Sequence, residues 1–380
     1  MANIGFDAKR AYHNRTGLGN YSRTLLQGLS LFYPQHHYFL FNPTPSKLYT
    51  PPSTQFTEVN PGNLLGKLLP SMWRRHWMKR DIEQRVDLYH GLSHELPAGL
   101  HKGKVKTVVT MHDLIFEHFP DQYHRNDIMM YRSKFKHACE TADHIISISE
   151  STQKDLIQLY QIPAHRISVC YQSCDPRFLQ SATQQQLAKF ELEFKMPFRY
   201  FLSVGSIIER KNLLNTCNAF FELNPPSDVK LLVLGKGGTY KEKVKDFIQQ
   251  KKLSDRILFL DEIKDEYWIE QNLPHIYHNA LALLYPSIME GFGIPVLEAM
   301  SSSTAVITSG QSSLLEAGAD AALFVDPLQP SSITQAMKAI LFDETLRQQH
   351  IQQGLLAVNK FSLQQTTHAV MNVYSSILNS

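Results

Sequence analysis

The stretch 286–300, PSIMEGFGIPVLEAM, sets Glu290 and Glu298 eight positions apart, with Gly291, Gly293 and Pro295 between them. An ionised carboxylate only accepts hydrogen bonds, and its two oxygens suit a vicinal diol. Glycines let backbone amides approach a ligand closely. Proline suits the first helical position, where its missing N–H costs nothing, and a helix N-terminus favours an anion. Two diols with a phosphate group between them describe a sugar nucleotide: hexose hydroxyls, diphosphate, ribose hydroxyls. Two other readings stay open on spacing alone. One is an ordinary strand–turn–helix with Glu298 favouring the helix start and Glu290 solvated. The other is a glycosidase pair, which needs its carboxyls about 5–5.5 Å or about 6.5–9.5 Å apart.

Other stretches could contribute. In SVGSIIERKN, Gly205 ends an apolar run, and Arg210 and Lys211 follow it. Arginine forks onto phosphate oxygens and lysine acts as a point charge, although a solvated basic pair is the plainer reading. HNRTGLGNYS carries Gly17 and Gly19 ahead of a helical pattern; it is no dinucleotide fingerprint, because the third glycine would fall at Ser22. TMHDL puts His112 and Asp113 at a strand's carboxyl end, where His112 either donates to a substrate oxygen or pairs with Asp113. His90, ending VDLYH, stands likewise at a strand's carboxyl end.

These residues need elements to hold them. Short apolar runs alternate with helical patterns: NIGFD (3–7), HYFLFN (37–42), VDLYH (86–90), KTVVTMHD (106–113), HIISIS (144–149) and RISVCY (166–171). The pattern weakens over 172–198 and resumes with RYFLSVGS (199–206), VKLLVLG (229–235), RILFLDEI (256–263), LALLYP (281–286), TAVITS (304–309) and AALFVD (321–326). Buried strands separated by helices predict parallel sheets covered on both faces. Ligands of such sheets bind beyond the strands' carboxyl ends, where the residues above fall. The expected fold is α/β, two doubly wound Rossmann-like domains facing across a cleft: 1–178, a linker 179–198, and 199–361, with a last helix, 362–380, packing back on the first domain.

Composition excludes several classes. Hydrophobic residues make up 43 % and charged residues 19 %, a globular balance, and a net charge of +3 calls for no nucleic-acid partner. Residues 1–175 carry 20 Lys and Arg against 15 Asp and Glu, and the remainder 18 against 20. Cys139, Cys170, Cys174 and Cys217 form no CxxC pair and read as plain thiols of a reducing compartment. No apolar run spans a membrane and MANIGFDAKR reads as a strand, so the chain is expected in the cytoplasm. The run 64–80, LLGKLLPSMWRRHWMKR, has two readings: a helix covering the sheet with basic residues outward, or an interfacial helix on the inner face of the membrane.

Together these segments resemble the retaining glycosyltransferases of the GT-B fold, in particular family 4. PSIMEGFGIPVLEAM is similar to that family's E-x7-E motif, FLSVGSIIERKNL to its Arg-Lys loop, VVTMHDLIFEHFP to its His-Asp segment, and IGFDAKRAYHNRTGLGNYSRTLLQGL to its opening strand, glycine loop and helix. Departures occur after Met300, where SSSTA stands, at Leu315, and in YQSCDPRF. The resemblance implies that Glu290 holds the donor sugar with the amides of Gly291, Phe292 and Gly293, beside Ile294. It implies that Glu298 holds the ribose, that Arg210 and Lys211 bind the diphosphate next to Gly205, and that Ile263 reads the base. His112 would contact the sugar near the reacting carbon, Gly17 and Gly19 would border the diphosphate and acceptor, and Asp113 and His90 are the acceptor-side candidates. No cofactor or metal is expected; the donor is a nucleotide sugar, GDP-mannose ahead of UDP-sugars, and the acceptor a saccharide or lipid-linked saccharide. A hydrolase or phosphorylase using the glutamates, and a non-catalytic sugar or anion binder, are the rivals.

Overall fold

The computed structural model describes residues 1–100, 103–180, 183–194 and 198–380. The chain forms two units: Met1–Ser173 with Ser362–Ser380, and Cys174–Phe361. Of the expected linker 179–198, residues 181–182 and 195–197 lie outside the described residues. The helix Gln184–Phe194 lies inside that stretch, and its Phe190 and Phe194 stack on Trp268 of the second unit.

The first unit's sheet contains β1 (Asn3–Asp7), β2 (His37–Phe41), β3 (Phe56–Val59), β4 (Leu88–Gly91), β5 (Lys106–Met111), β6 (His144–Ser147) and β7 (Ile167–Val169), in the order β3-β2-β1-β4-β5-β6-β7. The second contains β8 (Arg199–Val204), β9 (Val229–Leu234), β10 (Ile257–Phe259), β11 (Ala282–Tyr285), β12 (Ala305–Ser309) and β13 (Leu323–Val325), in the order β10-β9-β8-β11-β12-β13. Every pairing is parallel. Strand order reverses between β1 and β4 and between β8 and β11, and the crevice at such a switch point is where open α/β sheets bind ligands.

Central strands are buried on both faces, as in ALLY of β11, and that produces their unbroken apolar runs. β3 escapes the sequence reading because it is an edge strand with only Phe56 and Val59 buried. The last helix, Leu363–Leu378, packs in the first unit, where Val370, Met371, Val373, Tyr374 and Ile377 join the core of β1, β2 and β4. Among the described residues no helix is long and apolar enough to cross a membrane.

The run 64–80 is not a single helix. It breaks into helix Leu64–Leu68, a turn Pro70–Met72, a π-helical turn Trp73–Trp77 and helix Met78–Arg85. Trp73, Met78 and Ile82 are buried against the sheet. Arg74 points inward and is paired with Asp7 at 2.9 Å and with Glu95, so not every basic residue faces outward. Leu64, Leu65, Leu68, Leu69 and Met72 are exposed.

The last helix comes very close to helix Gly17–Phe32 at Gly28, where an added Cβ would lie 2.0 Å from Thr367 Oγ1. Gly28→Ala is expected to destabilise the first unit by about 1–3 kcal/mol through overpacking, outweighing the ~1 kcal/mol that alanine gains in a helix. A lower urea midpoint for that unit checks this.

Candidate functional site

In the second unit the loop after β11 carries Glu290 and leads into helix Ile294–Ser301. Gly293 is the residue before that helix, at φ 119°, and a Cβ there would meet Leu314 at 2.7 Å. Only glycine takes this position without strain. Pro295 lies in the helix's first turn. The Ser313 hydroxyl donates to the carbonyls of Glu290 (2.8 Å) and Phe292 (3.1 Å), and the Glu290 amide donates to Ser312 Oγ at 3.2 Å. The Phe292 ring is buried and packs on Phe361, so only its backbone can serve a ligand.

A second loop, after β8, is stitched to the first. Gly205 ends the strand at φ 132°. Glu209–Lys211 form a 3-10 turn, closed by Asn212 at φ 64°, a left-handed position that asparagine tolerates. The Asn212 amide donates to the carbonyls of Pro286 (3.1 Å) and Pro327 (2.6 Å), and the Ile288 amide donates to the Arg210 carbonyl at 2.9 Å.

The stitching brings both cations onto the first glutamate. Lys211 Nζ lies 2.5 Å from Glu290 Oε1 and Arg210 Nη1 lies 3.2 Å from Oε2, all with side chains at most 17 % exposed. Arg210 also donates to the Met289 carbonyl and Lys211 to the Tyr285 hydroxyl. Lys211 sits 4.7 Å from the Tyr285 ring centroid as well. Burial alone would raise the Glu290 pKa, but Lys211 and Arg210 bring it below the usual carboxylate range. Glu298 stands differently: burial pushes it up to about 7, against a hydrogen bond from the Tyr277 hydroxyl at 2.8 Å and the charge of Arg177. Ile294 opens the helix, half-buried. Ile263 is exposed after the 3-10 turn Leu260–Glu262, and its amide N–H is committed to the Leu260 carbonyl.

The remaining predicted residues belong to the first unit. His112 is buried after β5; its Nε2–H donates to the Leu92 carbonyl at 2.8 Å, and Nδ1 faces Gln172 at 3.5 Å. Burial brings its pKa down to about 4, so the ring is neutral near pH 7. Its ring donor is already committed, which corrects the expectation that His112 donates to a substrate oxygen: Nδ1 can only accept. Asp113 accepts from the Ile115 amide at 3.1 Å. Gly17 opens helix Gly17–Phe32 with nothing near a would-be Cβ, whereas a Cβ on Gly19 would stand 1.8 Å from the Asn14 carbonyl oxygen. Gly19 is thus fixed by packing, and Asn14 Oδ1 accepts from the amides of Thr16 and Gly19.

His90 is a correction. It is fully buried, with Nδ1 on the Tyr374 hydroxyl (2.5 Å) and Nε2 on Thr110 Oγ1 (2.7 Å). Nδ1 ties the sheet to the last helix and Nε2 ties β4 to β5, so no acceptor group reaches it. Sequence reasoning missed Tyr277, Tyr285, Asn212 and His94, whose Nε2 accepts the His112 amide at 2.8 Å. The two tyrosines look like core residues in a one-dimensional reading; the signal for Asn212 was its place after ERK.

Glu298 gives a pH dependence with a definite sign. Its folded pKa lies above the ordinary value of 4.5, so the folded state holds the proton more tightly. The stabilisation is full below about pH 4.5 and is lost as pH rises through about 7. Glu298→Gln is expected to flatten that decline, measured as the second unit's urea midpoint between pH 5 and 8.

Comparison with known proteins bears on both units. The family model Glycosyl transferases group 1 matches residues 184–356, and Glycosyltransferase Family 4 matches residues 15–178. The O-antigen chain mannosyltransferase B of Escherichia coli is 28 % identical over 307 residues, 79 % of this chain and 77 % of that protein. The O-antigen chain mannosyltransferase RfbU of Salmonella typhimurium is 29 % identical over 235 residues, 61 % of this chain and 60 % of its own. Among solved structures, a glycosyltransferase from Rickettsia africae matches with a TM-score of 0.74 at 16 % identity, covering 99 % of this chain and 98 % of that one. Anabaena HepE in complex with UDP and glucose matches with a TM-score of 0.74 at 14 % identity, covering 99 % and 100 %. The glycosidase and simple-binder readings of the glutamate pair give way: the chain belongs to the group 1, family 4 glycosyltransferases, with the GT-B fold.

Proposed function

We propose that the protein transfers a mannosyl group from GDP-mannose to a hydroxyl of a saccharide or lipid-linked saccharide in surface polysaccharide synthesis, with retention of anomeric configuration. One observation carries the reading: a buried, ionised Glu290 shares one site with Arg210, Lys211 and the N-terminus of helix Ile294–Ser301. That set offers an acceptor for sugar hydroxyls and positive charge for a departing diphosphate. Mannose is supported by the names of the two curated relatives; guanine as the base is our extension.

In this reading the bond from the anomeric carbon to the diphosphate breaks as the acceptor oxygen bonds to that carbon on the same face. The acceptor's proton passes to the departing phosphate oxygen. Arg210 and Lys211 neutralise the leaving group without a divalent metal, Glu290 and the amides of Gly291, Phe292 and Gly293 hold the hexose, and Glu298 holds the ribose. Gly205 and Ile294 border the diphosphate, and Ile263 lies by the base. In the first unit, His112 is proposed for the sugar and Asp113 for the acceptor, with Gly17 in the glycine loop. The site is cytoplasmic.

A second element of the reading is contact with the membrane's inner face. Leu64, Leu65 and Leu68 are 73 %, 61 % and 67 % exposed, Lys67, Arg75 and Arg80 of the same run are exposed too, and 64–80 holds no acidic residue. Apolar side chains rimmed by cations suit an anionic lipid surface.

Removing a preorganised charge partner of a leaving group costs about 10²–10³ in turnover. Arg210→Ala is expected to lose about 10² or more in kcat with GDP-mannose and a saccharide acceptor; unchanged kcat refutes the assignment. The protein should sediment with phosphatidylcholine vesicles containing phosphatidylglycerol and not with phosphatidylcholine alone. The pair Leu64→Glu, Leu68→Glu should abolish sedimentation; retention of binding rejects the membrane contact.

A further inference from the structure

Part of the site's positive charge already rests on Glu290. Glu290 holds Lys211 at 2.5 Å and Arg210 at 3.2 Å, and its side chain is only 9 % exposed. Lys211 is held on its other side by the Tyr285 hydroxyl, at the end of β11. The ammonium that the proposed function assigns to the diphosphate is therefore already claimed by the carboxylate it assigns to the sugar. An incoming diphosphate competes with Glu290 for the Lys211 ammonium. A buried carboxylate deprived of its cation is costly unless new donors replace it. The hydroxyls of an attached hexose are such donors, whereas a nucleoside diphosphate without the hexose brings only its ribose hydroxyls, which the donor-site reading gives to Glu298.

We propose that Glu290 is an internal competitor for Lys211, so that the site favours the sugar-bearing nucleotide over the spent one and discharges the nucleoside diphosphate once the hexose has left. This rests on the donor-site reading above and goes beyond it, because it assigns Glu290 a part in product release as well as in sugar binding. The cycle has two states of one ammonium. With donor bound, Lys211 is on the diphosphate and the hexose hydroxyls are on Glu290. After transfer Glu290 has lost its hydroxyls, and recapture of Lys211 weakens the hold on the diphosphate. Tyr285 is a positioning residue in this exchange: its hydroxyl keeps the ammonium within reach of both anions.

The test is the affinity of the full-length protein for GDP and for UDP by calorimetry, in four proteins: wild type, Glu290→Gln, Lys211→Ala and the double variant. Glu290→Gln keeps the shape and removes the competing charge. It is expected to bind the nucleoside diphosphate about tenfold tighter than wild type while turning over more slowly, with stronger product inhibition. The gain is expected to vanish in the Lys211→Ala background. The double-mutant cycle separates an effect acting through Lys211 from the mere loss of a nearby negative charge, which would persist without the lysine. If Glu290→Gln binds the nucleotide no tighter, or the gain survives in the double variant, the competition does not exist, while wild-type binding still upholds the donor site. If wild type binds neither nucleotide, the donor-site reading falls and the competition with it. Circular dichroism on each variant separates loss of fold from loss of binding, and a variant that fails to fold is replaced by Glu290→Ala or Lys211→Met, judged by the same outcomes.

Discussion

Two cations and one carboxylate share a space from which water is largely excluded, and the organisation of the second unit follows from keeping them there. Desolvating an ion is expensive, and attraction repays it only where geometry is held firmly. Glu290 remains ionised because Lys211 and Arg210 face it together. A shift of either loop by a few ångströms would leave a buried charge without compensation. The hydrogen bonds that fix those loops are thus as necessary to the site as the charges themselves.

Those hydrogen bonds are mostly short-range chemistry placed by long-range topology. The sheet order brings β8 and β11 side by side, so the loops that follow them meet although they are far apart in sequence. Asn212 then closes one loop on the other through two carbonyls, and Ser313 holds the backbone on both sides of Gly291. The first unit uses the same device after β4 and β5. His94 accepts the amide of His112 and Leu92 accepts its ring proton, which fixes the tautomer and leaves Nδ1 as the acceptor, facing the Gln172 amide.

The sequence made the strands legible where they are buried on both faces. A run such as LALLYP, bounded by a proline, is too short for a buried helix and too apolar for a loop. It left β3 obscure, because that edge strand buries only Phe56 and Val59. The helix Gln184–Phe194 was hidden by its glutamines, while its aromatic pair finds Trp268 only in three dimensions. For the site, residue types and spacing picked out Glu290, Glu298, Arg210 and Lys211. Nothing local could say that the lysine would rest on the glutamate, nor that tyrosines from β11 and from helix Glu266–His278 would back them. His90 was misjudged because a histidine at a strand end looks alike whether it faces a ligand or a helix; only Tyr374, far along the chain, decides it.

The two glutamates of the opening motif end in opposite electrostatic states although only a short glycine loop and the start of one helix separate them. Burial acts on both in the same direction. What differs is the partner: Glu290 meets cations, and Glu298 meets chiefly a phenol. A phenol can donate a hydrogen bond but brings no charge, so it offsets only part of the desolvation. The same pattern of residues therefore yields one firmly ionised carboxylate and one poised near neutrality. That division suits a ligand whose two ends ask for different things. In the proposed reading, the end near the leaving group needs charge that can be exchanged between partners. The other end needs only hydrogen bonds, which a carboxyl backed by Tyr277 can supply without importing a second buried charge.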